Sequence, residues 1–75
     1  MIVDSTALPE QVTDAVVSSA FRSCGQRCSA LRVLFVQRDV ADAMTAMIAG
    51  AMRELIVGDP ADPRTDVGPV IDAEQ

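Results

Sequence analysis

The chain has 75 residues, 49% of them hydrophobic, and a formal net charge of -5 at pH 7. A chain of this size forms one small domain at most and lies near the lower limit of independent stability. The negative charge is spread along the chain, which excludes a basic nucleic-acid interface, and no apolar run is long enough to span a bilayer. We therefore expect a cytoplasmic chain without a membrane span or a nucleic-acid partner.

Large apolar side chains are scarce, since the chain has two phenylalanines and no tryptophan or tyrosine. A core built largely from alanine and valine is shallow unless something larger packs against it. The two cysteines, Cys24 and Cys28, are too few for a disulfide scaffold, and no histidine is present to complete a zinc site. Packing, a local disulfide and thiol chemistry remain open for these thiols.

The first part of the chain predicts a strand, a helix and a turn. Met1 to Val3 form a short apolar run typical of the end of a buried strand, and Pro9 with Glu10 is a usual opening of a helix. Apolar residues then recur at helical spacing, at Val12, Val16, Val17, Ala20 and Phe21. The helix should end by Gly25.

Beyond Gly25, Leu31 to Val36 read as a buried strand of branched and aromatic residues. A second helix should begin at Arg38 or Asp39, and Gly50 inside it costs about 1 kcal/mol relative to alanine. Residues 58–69 predict a long loop, Val70-Ile71 a further short element, and residues 72–75 the start of a helix. The apolar face of the second helix is predicted at Val40, Met44, Met47, Ile48, Ala51, Met52 and Leu55.

Three aspartates in the loop, Asp59, Asp62 and Asp66, raise the possibility of a calcium site. The glycine alternation and terminal glutamate of a calcium loop are lacking, so we predict turn and cap residues instead.

The order strand, helix, strand, helix predicts a layered α/β domain with crossover helices. Two strands do not form a stable sheet alone, so residues 1–75 are expected to be part of a larger domain.

Cys28 has the sequence setting that a nucleophilic cysteine needs. Such a thiol must be reachable and partly ionised, near positive charge or oriented backbone amides. Cys28 falls between a helix end and a strand, beside Arg27 and before the small residues Ser29 and Ala30. On these grounds alone, inert packing is the more frequent role of a cysteine.

The segment Phe21-Arg22-Ser23-Cys24-Gly25-Gln26-Arg27-Cys28 resembles the active-site signature of the aldehyde dehydrogenase family. In that signature a phenylalanine, three variable residues, Gly-Gln, one variable residue and the cysteine occur in this order. The likeness covers essentially the whole chain, including Gly58-Asp59-Pro60 and Gly68-Pro69. The sequences of residues 2–12, 27–34 and 68–72 are most similar to the pyrroline-5-carboxylate dehydrogenase branch found in proline utilization A proteins.

The resemblance implies NAD-dependent oxidation of glutamate semialdehyde to glutamate. The Cys28 thiolate would attack the aldehyde carbon, the Cys28 backbone N–H would help hold the oxyanion, hydride would pass to NAD, and water would hydrolyse the thioester. The resemblance also implies that Ser29 receives the substrate carboxylate and that Arg27 adds positive charge beside it. An ion pair of Arg27 with a surface acid is an open alternative.

Other parts implied by the resemblance lie outside this sequence. The general-base glutamate of a Glu-x-Gly-Gly stretch would precede Met1, and the NAD-binding domain would lie further upstream. We therefore expect residues 1–75 to be a partial catalytic domain, with no cofactor-binding residues of its own, inactive and poorly folded in isolation. Its partners would be the small-molecule substrate and the remainder of a longer, homo-oligomeric enzyme.

Two alternatives stay open. At Cys24 we expect a small residue such as alanine; the cysteine is either a small hydrophobe or, if the helix continued through Gly25, a disulfide partner of Cys28. The whole chain is alternatively a small helical interaction module in which Cys28 only packs. That reading does not explain the Gly-Gln-Arg-Cys turn before a predicted strand.

Overall fold

The computed structural model describes all residues, Met1–Gln75. The chain forms β1 (Ile2–Val3), α1 (Pro9–Phe21), a 3-10 turn (Arg22–Gly25), β2 (Phe35–Val36) and α2 (Arg38–Glu54). The predicted order of strand, helix, strand and helix is confirmed. Neither helix is both long and apolar enough to cross a membrane.

The two strands form a parallel pair joined through α1. Ile2 lies opposite Phe35 and Val3 opposite Val36. The Phe35 N–H donates to the Met1 carbonyl at 2.9 Å and the Gln37 N–H to the Val3 carbonyl at 2.8 Å. Parallel strands need a crossover connection of this kind, and the helix between them supplies it.

The helices begin where the sequence predicts and pack against each other. Pro9 occupies the first turn of α1, where its missing N–H costs no intrahelical hydrogen bond, and Glu10 follows it. In the next turn the Thr13 hydroxyl donates to the Pro9 carbonyl at 2.9 Å. The buried apolar side chains that α1 and α2 contribute are Val16 and Met44, which are 6% and 2% exposed.

The core is small for a chain of this length. Only five residues are buried, namely Val3, Thr13, Val16, Gly25 and Met44. The accessible surface is 5689 Å², whereas a folded monomer of this mass has roughly 4,400 Å². The radius of gyration is 13.6 Å, against about 11 Å for a compact domain of the same length. Large apolar side chains remain on the surface, among them Ile2, Phe35, Val57 and Ile71.

Four sequence-based expectations are wrong in this structure. The predicted strand from Leu31 to Val36 is reduced to Phe35–Val36, because β1 pairs with only two of its residues. Nor is it buried, since Phe35 is 65% exposed. Val70-Ile71 forms no regular element, and residues 72–75 contain a bend at Asp72 and Ala73 but no helix. On α2, Met47 and Met52 of the predicted apolar face are exposed.

The loop after α2 is held by its aspartates, as predicted. The side chains of Asp59 and Asp62 accept the N–H groups two residues ahead, and Asp66 accepts that of Ile56 at 2.9 Å. Arg64 also forms an ion pair with Asp62 at 2.7 Å. Its hydrogen bonds lower the pKa of the Asp62 carboxyl.

The shallow core predicts that the isolated 75-residue chain unfolds without a sharp cooperative transition. Thermal melting followed by far-ultraviolet circular dichroism should give a broad, nearly linear loss of helix, because so little apolar area is removed from water. Amides of both helices should also exchange rapidly with solvent. A sigmoidal melt with protected helix amides would contradict this prediction.

Candidate active site

A left-handed stretch of backbone follows α1. Ser23, Cys24 and Gly25 have φ values of 53°, 57° and 67°, a conformation that costs a residue with a Cβ roughly 1–2 kcal/mol. A Cβ at position 25 would lie 2.8 Å from the Ala20 carbonyl oxygen. Gly25 is therefore required by both its conformation and its close approach to the helix, and the helix ends as predicted.

The left-handed stretch returns the chain to the side of α1. The Leu31 N–H donates to the Ser19 carbonyl of α1 at 3.1 Å, and the Arg32 guanidinium donates to the Gly25 carbonyl at 2.9 Å. Between these contacts the Ala30 N–H donates to the Arg27 carbonyl at 3.0 Å. Residues 27–30 thus form a closed turn that is held at both ends, and we call it the cysteine turn.

Cys28 is exposed on the cysteine turn and forms no disulfide. As predicted, Cys28 lies between the end of a helix and a strand. Within this chain its side chain does not pack in the core. Its backbone N–H donates to no other group of the chain. A reachable sulfur beside a free N–H is the arrangement that attack on a carbonyl requires, because the N–H can bind the oxygen that becomes negative.

Arg27 and Ser29 flank Cys28 and both line one cleft of about 300 Å³. The Arg27 Nε donates to the Ser23 hydroxyl at 3.1 Å, which leaves its remaining guanidinium donors unused. Arg27 forms no ion pair, since the ion pair of the chain joins Arg64 and Asp62. The alternative of a surface ion pair is therefore not found, and Arg27 is available to an anion in the cleft.

The segment Gly68–Ile71 lies against the left-handed stretch, a contact that sequence reasoning missed. The Cys24 thiol donates to the Gly68 carbonyl at 2.8 Å. The Gln26 side chain accepts the Ile71 N–H at 3.0 Å and donates to the Ser23 carbonyl at 3.3 Å. The Gly-Gln pair and Gly68-Pro69 are both visible in the sequence, but nothing in it pairs positions so far apart.

Cys24 is half-buried and its thiol is free. The disulfide hypothesis required the helix to continue through Gly25, and the left-handed backbone at Ser23 and Cys24 does not meet that condition. The structure thus favours the reading of Cys24 as a small side chain that packs against residues 68 and 69.

The chain's own residues do not fit a dinucleotide cofactor. A phosphate cradle needs a glycine-rich turn at a helix N-terminus. Here α1 is preceded by Leu8 and begins at Pro9, and α2 is preceded by Gln37 and begins at Arg38.

Comparison with known proteins gives the family. The model of the aldehyde dehydrogenase family matches residues 1–75. The chain belongs to the aldehyde dehydrogenase family. Among curated aldehyde dehydrogenase relatives, the bifunctional protein PutA of Klebsiella aerogenes is 61% identical over 74 residues, which are 99% of this chain and 6% of that protein. A 1-pyrroline-5-carboxylate dehydrogenase of Geobacillus sp. strain WCH70 is 40% identical over 96% of this chain and 14% of its own length.

Solved structures of aldehyde dehydrogenase relatives share the fold. A mutant of proline utilization A from Bradyrhizobium japonicum superposes with a TM-score of 0.91 at 68% identity, covering 97% of this chain and 8% of that one. A mutant of the Thermus thermophilus 1-pyrroline-5-carboxylate dehydrogenase gives 0.88 at 36% identity, covering 97% and 14%. The chain therefore spans a small part of the relatives that it matches.

Replacing Gly25 with alanine should destabilise the longer enzyme that contains this chain by at least about 2 kcal/mol, through left-handed strain and the clash with the Ala20 carbonyl. Gly50→Ala is the matched control, because a Cβ there meets nothing within 4 Å. Urea unfolding of the two variants measures the difference. Equal stability of both would contradict the assigned role of Gly25.

The two thiols should differ in reactivity. Cys28 is exposed, whereas Cys24 is half-buried and hydrogen-bonded, so brief alkylation should label Cys28 first. Peptide mass spectrometry measures the order. Thiol counting after mild oxidation then tests the disulfide: paired loss of two thiols together with activity would contradict our assignment of Cys24.

Proposed function

We propose that this chain supplies the nucleophile of an NAD-dependent dehydrogenase that oxidises glutamate semialdehyde, in equilibrium with pyrroline-5-carboxylate, to glutamate. The observation that carries the proposal is the exposed Cys28 on a turn held at both ends, with a free backbone N–H on the same residue. The substrate is inferred from the relatives, since 1-pyrroline-5-carboxylate dehydrogenases match nearly all of the chain.

In the proposed reaction the Cys28 thiolate forms a bond to the aldehyde carbon, and the carbonyl oxygen takes the negative charge. The Cys28 N–H donates to that oxygen, so sulfur and donor are positioned by one residue. The cysteine turn keeps this geometry because hydrogen bonds fix residues 27 to 32 against the end of α1. A preformed donor stabilises the tetrahedral state without reorganisation at the moment of reaction.

Ser29 and Arg27 are proposed to bind the substrate carboxylate. Both line one cleft, and they are the two sequence neighbours of Cys28. A serine hydroxyl donates one hydrogen bond to an anion, and an arginine fork donates two parallel ones. The hydrogen bond from Arg27 to Ser23 fixes the base of the guanidinium and leaves its outer nitrogens free. Binding at the carboxylate would orient the aldehyde toward the sulfur.

NAD would bind to other segments of the longer enzyme, since the residues of this chain do not form a site for it. Bound there, NAD would supply the hydride acceptor for the oxidation, and Cys28 would hold the resulting acyl group as a thioester until water hydrolyses it. The general base would also come from elsewhere. We accordingly propose that the isolated 75-residue chain is inactive.

Cys28→Ala should abolish aldehyde oxidation by the longer enzyme, with a loss of at least about 10³-fold in kcat. Cys24→Ala is the matched control and should cost at most about tenfold, because it removes only weak thiol hydrogen bonds. Reduction of NAD in the presence of glutamate semialdehyde, followed by absorbance, measures both. Turnover that survives in Cys28→Ala would rule out this nucleophile and favour the interaction-module alternative.

A further inference from the structure

The cleft lined by Arg27 and Ser29, the two sequence neighbours of Cys28, has a second side that the proposed chemistry does not use. One side is the cysteine turn, through Arg27 and Ser29. The other side is the end of α1 and the residue after it. The polar residues on that side are Asp14, Ser18, Ser19 and Arg22.

Arg22 lines this side of the cleft because α1 ends directly before it. It is the first residue beyond α1, and its N–H still donates to the Ser18 carbonyl. The left-handed stretch that begins at Ser23 then carries the chain around, so that Arg27 faces the same cleft. The guanidinium groups of Arg22 and Arg27, five positions apart in sequence, thus line the same cleft. The turn brings them together, not the periodicity of a helix.

The charges in the cleft favour an anion. Arg22 has no ion-pair partner, because the ion pair of the chain is elsewhere, and its side chain donates no hydrogen bond within the chain. Asp14 is the acid in the cleft, but it lies two helical turns before Arg22, about 12 Å along the axis. The hydroxyls of Ser18, Ser19 and Ser29 add neutral donors around the arginines. Two arginines and several hydroxyls suit a carboxylate, which accepts paired hydrogen bonds.

We propose that Arg22 is a specificity-determining residue, which together with Arg27 binds the carboxylate of an incoming aldehyde and selects aldehydes that carry an anionic group. The inference rests on the proposed role of Cys28 and adds a substrate-binding role for the side of the cleft that α1 and Arg22 form. Arg27 is tethered by Ser23 and acts as a fixed receptor. Arg22 is untethered and exposed, so it contacts the carboxylate during its approach to the cysteine turn.

Arg22→Gln in the longer enzyme tests this by the ratio of kcat/KM for 5-oxopentanoate, an aldehyde that carries a carboxylate and no amino group, to kcat/KM for pentanal, an uncharged aldehyde of the same chain length. The ratio should fall about tenfold, the effect of one charge-assisted hydrogen bond. The loss should appear mainly in KM, because binding is affected more than the chemical step. The decrease of kcat/KM with added salt, expected for the anionic 5-oxopentanoate, should also become weaker in this variant.

Arg22→Lys should restore much of the ratio, and Arg53→Gln, an exposed arginine in the last turn of α2, should leave it at the parent value. A ratio unchanged in Arg22→Gln, whether both substrates are lost equally or neither is affected, would overturn the inference. If the proposed function is wrong, the result is different: Cys28→Ala would retain turnover, whatever the effect of the Arg22 variants.

Discussion

The left-handed backbone at residues 23–25 determines where each candidate site residue lies. It ends α1, reverses the chain and brings the cysteine turn back beside the helix, so Ser29 and two arginines line one cleft, and Cys28 lies between two of these residues in sequence. Of these three residues, only Gly25 adopts the left-handed conformation without steric cost, because it has no Cβ. A Cβ at this position would also clash with the Ala20 carbonyl oxygen. Ser23 and Cys24 adopt it with strain. Contacts of the Cys24 and Gln26 side chains with residues 68–71 offset part of that cost.

The same chain has little to hold it together by itself. Its buried apolar side chains are Val3, Val16 and Met44, and its two strands pair over two residues each. The cysteine turn is positioned by hydrogen bonds rather than by apolar burial, and such bonds contribute only about 1 kcal/mol each in water. A precise site on so small a core fits a segment of a larger α/β enzyme, and the chain spans 6% of the length of its PutA relative. Exposed side chains such as Ile2 and Phe35 are surfaces for other segments to cover.

Local patterns predicted the fold where the physics is local. The proline and acid at Pro9 and Glu10 marked the start of α1, and Gly25 marked its end, because each signal acts within one helical turn. The strand from Leu31 to Val36 was overestimated, since branched residues signal burial but do not specify how many partners are present. For the candidate site, the signature predicts Cys28 and its neighbours, and their roles stay a prediction. Arg22 and the contact of Gln26 with Ile71 depend on how the turn folds in space, which no spacing in the sequence reveals.

Mass spectrometry of the longer enzyme, after acid quenching during turnover with glutamate semialdehyde and NAD, tests whether Cys28 is the nucleophile. Acid should trap the thioester, because hydrolysis slows once the base is protonated. The substrate's acyl group should be attached to the peptide that contains Cys28, and it should be absent when NAD is omitted. An acyl group on Cys24, or none on either cysteine during active turnover, would contradict it.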